Sequence, residues 1–279
     1  MSNPSPRTHA AAMNLTVNNI NISYQDHGEG PAVIFIHAFP LNQGMWDDQA
    51  GFLKTTCRVI TLDLRGFGQS DVPATRYSLA DMASDIRGLM RVLSIDQAVL
   101  VGLSMGGYVS TTFYRSYPDA VRGLVLSDTR TSADTEEGRA RRFASAEKAK
   151  REGASAIAAE MIPLLLGRTS LEKRPDVVNR VRLMAESNPP RGIAAAQRAM
   201  ADRLDSGSLL ASVTFPVLLI CGAEDTLSTP AEMEAMCRGI PGSNLKVIEN
   251  AGHLPNIEQP DRFNEALLEY INSLQRIPG

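Results

Sequence analysis

Short apolar runs alternate with helical patterns along much of the chain. Residues Leu15–Tyr24 alternate apolar with polar side chains, which predicts one half-exposed antiparallel strand. Shorter runs that are apolar almost throughout are typical of parallel strands covered on both faces; they are Ala32–Ile36, Arg58–Leu62, Ala98–Val101, Gly123–Leu126, Val217–Cys221 and Asn244–Ile248. Helical patterns are found at Ser78–Leu93, where Ser78 and Asp81 predict a capped N-terminus, and at Met105–Tyr117 and Asp261–Leu274. This alternation predicts an α/β protein with a doubly wound, mostly parallel sheet.

No strand pattern interrupts the stretch from Ser132 to Leu210. It is rich in Ala, Arg and Glu, and about four helices fit between its breaks at Gly153, Pro163, Gly167 and Pro189-Pro190. Because strand patterns resume on both sides, we expect residues 132–210 to form a helical cap over one core domain made of residues 13–131 and 211–279. The alternative is a separate helical domain with its own function. Residues 1–12 predict a flexible tail.

The composition of the chain argues against nucleic acids and membranes as binding partners. The chain has 279 residues, 43% hydrophobic and 21% charged, with a formal net charge of −3, as in an ordinary globular protein. This balance offers no basic surface for nucleic acid or an anionic membrane, so we expect neither partner. No window reaches the ~18 apolar residues that a membrane-spanning helix needs. Three cysteines without C-x-x-C or metal-ligand spacing, and no signal peptide in residues 1–12, predict reduced thiols and a cytoplasmic location.

The segment Val99–Tyr108 reads VLVGLSMGGY, so an apolar run ends in the pattern G-x-S-x-G before a helical stretch. Strand, sharp turn and helix in that order are the setting of a nucleophile elbow, where the serine occupies a strained turn. Gly102 and Gly106 leave the room that the turn needs. The backbone N–H of Met105, at the helix N-terminus, can donate to a developing oxyanion. The pattern alone is weak, because a glycine-rich turn with an incidental Ser104 has the same sequence.

A serine hydroxyl needs a general base, and the chain has four histidines. His253 follows the last predicted strand. It also comes after Ser104 in the chain, as the base does in proteins with a nucleophile elbow, where the order is serine, acid, histidine. The alternative for His253 is a loop histidine that fixes a turn. His9 lies in the tail and His27 in a turn between strands. We expect His37 to pack and hydrogen-bond within its own loop rather than to act as a base.

The acid that orients the base should lie between the serine and the histidine in the chain. Two aspartates follow strands that end at the same edge of the sheet, Asp225 in CGAEDT and Asp128 in LSDT. We favour Asp225, because its loop with Gly222 is typical of one that projects a side chain; Asp128 then caps or braces the loop below the cap. The second oxyanion donor is expected after Ala32–Ile36, where the backbone N–H of Phe39 is the candidate.

Together these motifs resemble the α/β-hydrolase family along nearly the whole chain. The matching pieces are HAFP at 37–40, DLRGFGQS at 63–70, GLSMGG at 102–107, GAED at 222–225 and AGH at 251–253. The most similar branch contains 3-oxoadipate enol-lactonases and small carboxylesterases. The resemblance implies an eight-stranded α/β-hydrolase fold with a helical cap, a triad of Ser104, Asp225 and His253, and oxyanion donors at Phe39 and Met105.

The same resemblance makes residues 63–70 a structural turn in which Asp63 and Arg65 form a bracing ion pair. Many relatives have glycine where this chain has Ala38. The added methyl group narrows the backbone conformations open to residue 38, but it leaves the Phe39 donor in place. A serine at 104 argues against the dehalogenases and epoxide hydrolases of this fold, which use a carboxylate there.

The predicted function is hydrolysis of small to medium carboxylic esters through an acyl-enzyme, without metal or organic cofactor. The substrate is a small-molecule ester or lactone, and the protein a monomer or homodimer. One alternative is a 3-oxoadipate enol-lactonase or related lactonase, in which Arg130 or Arg139 anchors a carboxylate. Another is a non-catalytic, ligand-binding protein of this fold. The residues expected to line the substrate pocket are Ala38, Tyr108, Arg130, Met161, Leu165 and Leu254.

Overall fold

Eight strands form one sheet in the computed structural model, which describes residues 12–275. They are β1 (Met13–Val17), β2 (Ile20–His27), β3 (Ala32–Ile36), β4 (Arg58–Leu62), β5 (Ala98–Leu103), β6 (Val121–Ser127), β7 (Val217–Gly222) and β8 (Asn244–Ile248). Across the sheet their order is β1-β2-β4-β3-β5-β6-β7-β8. β2 pairs antiparallel with β1 and β4, and the other neighbours are parallel. The predicted eight-stranded, mostly parallel sheet is confirmed; of the predicted tail, residues 1–11 lie outside the described residues.

The run Leu15–Tyr24 forms parts of two strands, so the prediction of a single strand was wrong. Asn18 and Asn19 have positive φ angles of 50° and 59° and form the turn of a hairpin. Val17 pairs with Ile20 directly across this turn. A two-residue hairpin turn of this kind needs φ above zero at both positions, which asparagine tolerates better than most residues. The Asn-Asn pair within an alternating run is therefore the signal for the turn.

Helices cover both faces of the sheet. They are α1 (Asp47–Leu53), α2 (Leu79–Val92), α3 (Met105–Ser116), α4 (Glu136–Glu152), α5 (Ala154–Leu165), α6 (Arg168–Lys173), α7 (Pro175–Glu186), α8 (Pro190–Ala201), α9 (Gly207–Leu210), α10 (Pro230–Arg238), α11 (Pro255–Glu258) and α12 (Pro260–Gln275). The predicted cap of α2 is confirmed, since Ser78 and Asp81 form a reciprocal capping box. Within residues 12–275 no helix combines the length and the apolar character needed to cross a membrane.

Side chains of the central strands alternate between two hydrophobic clusters, one on each face of the sheet. Ile34 and Ile36 pack in the cluster that includes side chains of α2 and α3. Val33 and Phe35 pack in the cluster that includes side chains of α1 and α12. Full burial stabilises each such side chain by roughly 1.5–3 kcal/mol. The parallel strands are thereby fixed with their carboxyl ends, and the loops that follow them, at one edge of the sheet.

Residues 132–210, called the helical insertion below, contain α4 to α9 between β6 and β7. The breaks expected at Gly153, Gly167 and Pro189-Pro190 are confirmed, but Pro163 lies inside α5. Its missing N–H removes the bond to the carbonyl of Ala159, and the helix continues for only two residues beyond it. An additional break precedes Pro175, which begins α7, so the insertion has more than four helices. Its boundaries as a cap, and those of the core, stay a prediction.

Asp63 and Arg65 do not pair with each other, so this expectation was wrong. The guanidinium of Arg65 donates from Nε and Nη2 to the two carboxylate oxygens of Asp85 in α2, both at 2.6 Å. Asp63 instead accepts from the backbone N–H of Gln43 at 2.8 Å and of Gln69 at 2.9 Å. The turn is structural, as predicted, but each residue braces it through a different partner.

Candidate active site

Ser104 occupies the sharp turn between β5 and α3, with φ 54° and ψ −112°. This backbone conformation is strained for a residue with a side chain. A Cβ on Gly102 would overlap the backbone of Gly106, and a Cβ on Gly106 would overlap the carbonyl of Ile36. The Ser104 N–H donates to the carbonyl of Ser127 in β6 at 2.9 Å. Glycine on both sides therefore lets the turn pack tightly against two neighbouring strands.

His253 and Asp225 form a buried pair. His253 lies in the loop between β8 and α11, and Asp225 in the loop after β7. Nδ1 of His253 is 2.8 Å from Oδ2 of Asp225, and the two side chains are 2% and 0% exposed. Burial alone would raise the pKa of Asp225, but the adjacent His253 and the backbone N–H of Leu227 outweigh it and lower the pKa below its usual value. An ionised Asp225 accepts the Nδ1–H bond, which leaves Nε2 of His253 free for a second partner.

Asp128, the other candidate acid, is also fully buried beside this pair. Its carboxylate accepts from Ser127 Oγ at 2.6 Å and from the backbone N–H of Gly222 at 2.9 Å. Burial and the negative charge of Asp225 raise the pKa of Asp128 well above its usual value. Oxygen and nitrogen atoms of Asp128, Asp225 and His253 lie within 4.8 Å of one another, close enough for a metal ion. The hydrogen bonds described above already occupy these atoms.

Glu258, which sequence reasoning missed, holds the loop on both sides of His253. Its Oε1 accepts from the backbone N–H of Gly252 at 2.8 Å and of Leu254 at 3.3 Å, and its Oε2 accepts from the N–H of Gly167 in the helical insertion at 2.9 Å. Burial raises the pKa of Glu258 despite these bonds. The signal in the sequence is an acidic residue about one helical turn after the histidine, where it can reach back to the free N–H groups of the loop.

The backbone of Gly167 lies directly against that of Gly252, the residue before His253. A Cβ on either glycine would overlap the backbone of the other. Next to this contact, Glu224, the neighbour of Asp225, accepts from the backbone N–H of Thr169 at 2.8 Å. The start of α6 is thus in contact with the loops that hold both members of the buried pair.

Phe39 and Met105 have backbone N–H groups that donate to no other residue of the described part of the chain. The N–H of Ala38, by contrast, donates to the sulfur of Met45 at 3.2 Å. His37 is fully buried, contacts the carbonyl of Ala38 through Nδ1 and accepts the N–H of Leu64 at Nε2, each at 3.0 Å. Desolvation lowers the pKa of His37 to about 4, so it is neutral near pH 7 and braces this loop as predicted.

A cavity of about 410 Å³ opens beside Ser104 and His253. Of the predicted pocket residues, Tyr108, Arg130 and Met161 line it, together with Phe39. Ala38, Leu165 and Leu254 are fully buried in the cluster on the other face of the sheet and do not line it. In α5 the cavity is lined by Glu160, Met161 and Leu164. Leu165 shares a face of the helix with Met161 but lies one turn further along, where it is fully buried in the core.

Charged side chains of the helical insertion, and of Arg130 just before it, line the cavity. Arg130 contacts the carbonyl of Leu227 and, at 3.4 Å, the carboxylate of Glu232. Its Nε is buried and has no partner within residues 12–275. Arg142 pairs with Asp134, and both also line the cavity. Arg139, the alternative anchor, pairs with Asp202 at 2.8 Å and is not part of the lining.

This geometry agrees with a match to a known family. Residues 31–260 match the family described as having the alpha/beta hydrolase fold. The chain belongs to the α/β-hydrolase family. The predicted resemblance and fold class are both confirmed.

Similar members of the family include an enol-lactonase and an esterase. The chain is 30% identical over 258 residues to the 3-oxoadipate enol-lactonase 1 of Acinetobacter baylyi. The aligned region covers 91% of this chain and 94% of that protein. A thermophilic esterase from Thermogutta terrifontis, solved with malate bound, is 42% identical with a TM-score of 0.92 over 95% of this chain and 99% of that one. The enol-lactonase from Burkholderia xenovorans is 26% identical with a TM-score of 0.86 over 93% and 100%. This α/β hydrolase thus has esterases and enol-lactonases among its relatives, and an ester or lactone hydrolase activity fits it.

Proposed function

We propose that this protein hydrolyses carboxylic esters of small to medium size through an acyl-enzyme on Ser104. The observation that carries the proposal is the 2.8 Å contact between His253 and Asp225, both buried, beside a cavity that His253 and Ser104 line together. A serine in a strained turn and a histidine oriented by a carboxylate are the parts that acyl transfer requires.

In the first step the Oγ of Ser104 attacks the ester carbonyl carbon while Nε2 of His253 takes its proton. Asp225 accepts the Nδ1–H bond and stabilises the imidazolium that forms. The carbonyl oxygen becomes an oxyanion, to which the free N–H groups of Phe39 and Met105 donate. Each such donor contributes roughly 3 kcal/mol to the stability of the transition state in comparable sites.

In the second step the imidazolium of His253 protonates the leaving alcohol, and the C–O bond to the alcohol breaks. A water molecule then attacks the acyl group on Ser104 while His253 takes a proton from it. Collapse of this second oxyanion returns the proton to Ser104 Oγ and releases the carboxylic acid. Each step uses the same two N–H donors, because the oxyanion forms on the same oxygen.

The test is Ser104→Ala on a series of p-nitrophenyl esters from acetate to laurate, run beside a 3-oxoadipate enol-lactone assay. We expect wild-type turnover on the shorter esters and a loss of at least about 10³-fold in the variant. Circular dichroism and thermal unfolding check that the fold is intact. Near-normal hydrolysis by Ser104→Ala would contradict the proposal, and absence of turnover by the wild type on every substrate would favour a ligand-binding protein.

A substrate that carries its own carboxylate is the second candidate, and Arg130 favours it. This side chain lies on the cavity wall and is 40% exposed, and its guanidinium contacts the Leu227 carbonyl and Glu232. Of the relatives named above, one is a 3-oxoadipate enol-lactonase and another was solved with malate bound, and both of these small molecules are anionic. A hydrogen bond between an arginine and a carboxylate contributes about 1.5–3 kcal/mol, or roughly 10- to 100-fold in affinity.

Paired substrates test this candidate. The p-nitrophenyl monoester of succinate and p-nitrophenyl butyrate differ mainly in the free carboxylate. We expect Arg130→Gln to lower kcat/KM for the succinate ester about tenfold or more, and for the butyrate about twofold at most. Arg141→Gln is the matched control, because Arg141 lines the same cavity but is 73% exposed and pairs with Glu137. An equal effect of Arg130→Gln on both esters would exclude a carboxylate anchor at this position.

A further inference from the structure

Asn188 connects the helical insertion to the loop that contains Phe39. It lies in the turn between α7 and α8 and is 2% exposed. Its Nδ2 donates to the carbonyl of Pro40 at 2.7 Å and to the carbonyl of Met184 at 3.0 Å. Its Oδ1 accepts the backbone N–H of Gly68 at 2.7 Å. Both N–H bonds and the oxygen of this amide are therefore used, and two of the three partners belong to loops at the carboxyl ends of β3 and β4.

The bond to Pro40 matters because proline has no backbone N–H. The carbonyl of Pro40 is the one backbone group of that residue through which a hydrogen bond can hold it. Pro40 follows Phe39 directly, and the ring of Phe39 packs edge-on against Phe67 at 6.3 Å between centroids. Phe67 precedes Gly68. Asn188 is thus hydrogen-bonded to Pro40, the residue after Phe39, and to Gly68, the residue after Phe67.

We propose that Asn188 is a positioning residue for the oxyanion hole, which fixes the direction of the Phe39 N–H through the Pro40 carbonyl. This inference rests on the proposed function, since it takes the Phe39 N–H as an oxyanion donor. A displacement of such a donor by about 1 Å is enough to lower turnover about 100-fold. Asn188 reaches the reacting atoms only through the loop, so its effect differs from that of a residue that touches substrate.

Two variants test the bonds that the Asn188 amide donates. Asn188→Asp keeps the size of the side chain and an acceptor for the Gly68 N–H, but an oxygen replaces Nδ2, so the bonds to the carbonyls of Pro40 and Met184 are both lost. Asn188→Ala removes all three bonds. Ser187→Ala is the matched control, because the neighbouring Ser187 accepts from Asn42 Nδ2 at 3.3 Å, an exposed contact of the insertion with the core that does not involve Pro40. All variants are full-length and are assayed well below their unfolding temperatures.

The kinetic result expected is a fall in kcat with little change in KM. For Asn188→Asp and Asn188→Ala, we expect kcat per titrated active site to fall about 10- to 100-fold and KM to change by at most about threefold. Active sites are titrated with an organophosphate that reacts with Ser104, so that unfolded protein is not counted. Ser187→Ala should leave kcat within about twofold of wild type.

A trifluoromethyl ketone analogue of the substrate gives a second readout, because its hemiketal with the serine places an oxyanion in the same hole. Its Ki should rise in parallel with the loss of kcat/KM in the Asn188 variants, which a merely structural role would not produce. An unchanged kcat per site, an unchanged Ki, or failure of both variants to fold would overturn the assignment. Loss of activity in Ser104→Ala together with normal Asn188 variants would leave the proposed function standing and remove only this inference.

Discussion

Asp128 and Asp225 bring carboxylate oxygens within 4.8 Å of each other, and both are buried. Two carboxylates this close in an apolar setting do not ionise equally. His253 stabilises the charge on Asp225, whereas burial and that same charge raise the pKa of Asp128. The pKa values of the two side chains are therefore shifted in opposite directions although they follow neighbouring strands.

Asp225→Asn and Asp128→Asn should differ strongly in turnover. An amide at 225 favours the wrong tautomer of His253, so we expect kcat to fall by roughly 10²- to 10⁴-fold. At 128 the raised pKa favours the neutral acid, which an amide resembles in shape and charge, and we expect a change of about tenfold at most. The measurement is kcat per titrated site on a p-nitrophenyl ester near pH 7.5. The reverse order of effects would make Asp128 the acid.

His37 should make the folded state sensitive to mild acid. Its pKa is lowered to about 4 in the folded protein from 6.5, so between these values the unfolded chain binds more protons. Stability from this group is full above pH 6.5 and is lost as the pH falls towards 4, by about 3 kcal/mol in all. Urea unfolding of wild type and His37→Asn across this range checks it. If the free energy of unfolding of His37→Asn falls as steeply between pH 6.5 and 4 as that of the wild type, the acid sensitivity belongs to another group.

Gly106→Ala should destabilise the protein severely. The new methyl group would overlap the Ile36 carbonyl, a backbone atom that cannot rotate away. We expect a loss of about 3 kcal/mol or more in the free energy of unfolding, or no folded protein at all. Gly51→Ala is the matched control, since Gly51 lies in α1 with nothing within 4 Å of its Cβ position. That variant should be more stable by roughly 0.5–1 kcal/mol.

Glu258→Gln should lower both stability and turnover. One carboxylate oxygen becomes an NH₂ group, which then faces either the Gly167 N–H or those of Gly252 and Leu254. An unsatisfied buried N–H costs about 1–3 kcal/mol, and the loop that holds His253 relaxes. Thermal unfolding and kcat measure the two effects. Glu265→Gln, on the exposed face of α12, should change neither stability nor kcat. If Glu258→Gln behaves like this control, Glu258 does not support the loop that holds His253.

Local patterns predicted those elements whose structure depends on neighbours in sequence. The bounds of Ala32–Ile36, Arg58–Leu62 and Asn244–Ile248 agree with β3, β4 and β8, because short apolar runs between turn residues have few alternatives. Gly102 and Gly106 indicated the turn at Ser104, since the clash that a Cβ on Gly102 would make with Gly106 lies within five residues.

Contacts between distant segments were not predictable in the same way. The pairing of Arg65 with Asp85 depends on where α2 packs, and nothing within the turn itself shows it. The orientation of Leu165 depends on the rotation of α5 about its own axis, which an apolar helix without a clear polar face leaves open. The bonds from Asn188 to Pro40 and from Gly167 to Glu258 join positions more than ninety residues apart, so these two contacts followed only from the assembled fold.

The contact between Gly167 and Gly252 limits how this chain can be recombined with its relatives. A chimera that receives a foreign segment for residues 132–210 brings in a new residue at the position of Gly167, and any side chain larger than hydrogen there would push on the residue before His253. Replacing the helical insertion to alter selectivity therefore also shifts His253, the proposed proton-transfer group, unless glycine is kept at both positions. Libraries that vary the insertion should hold Gly167 constant.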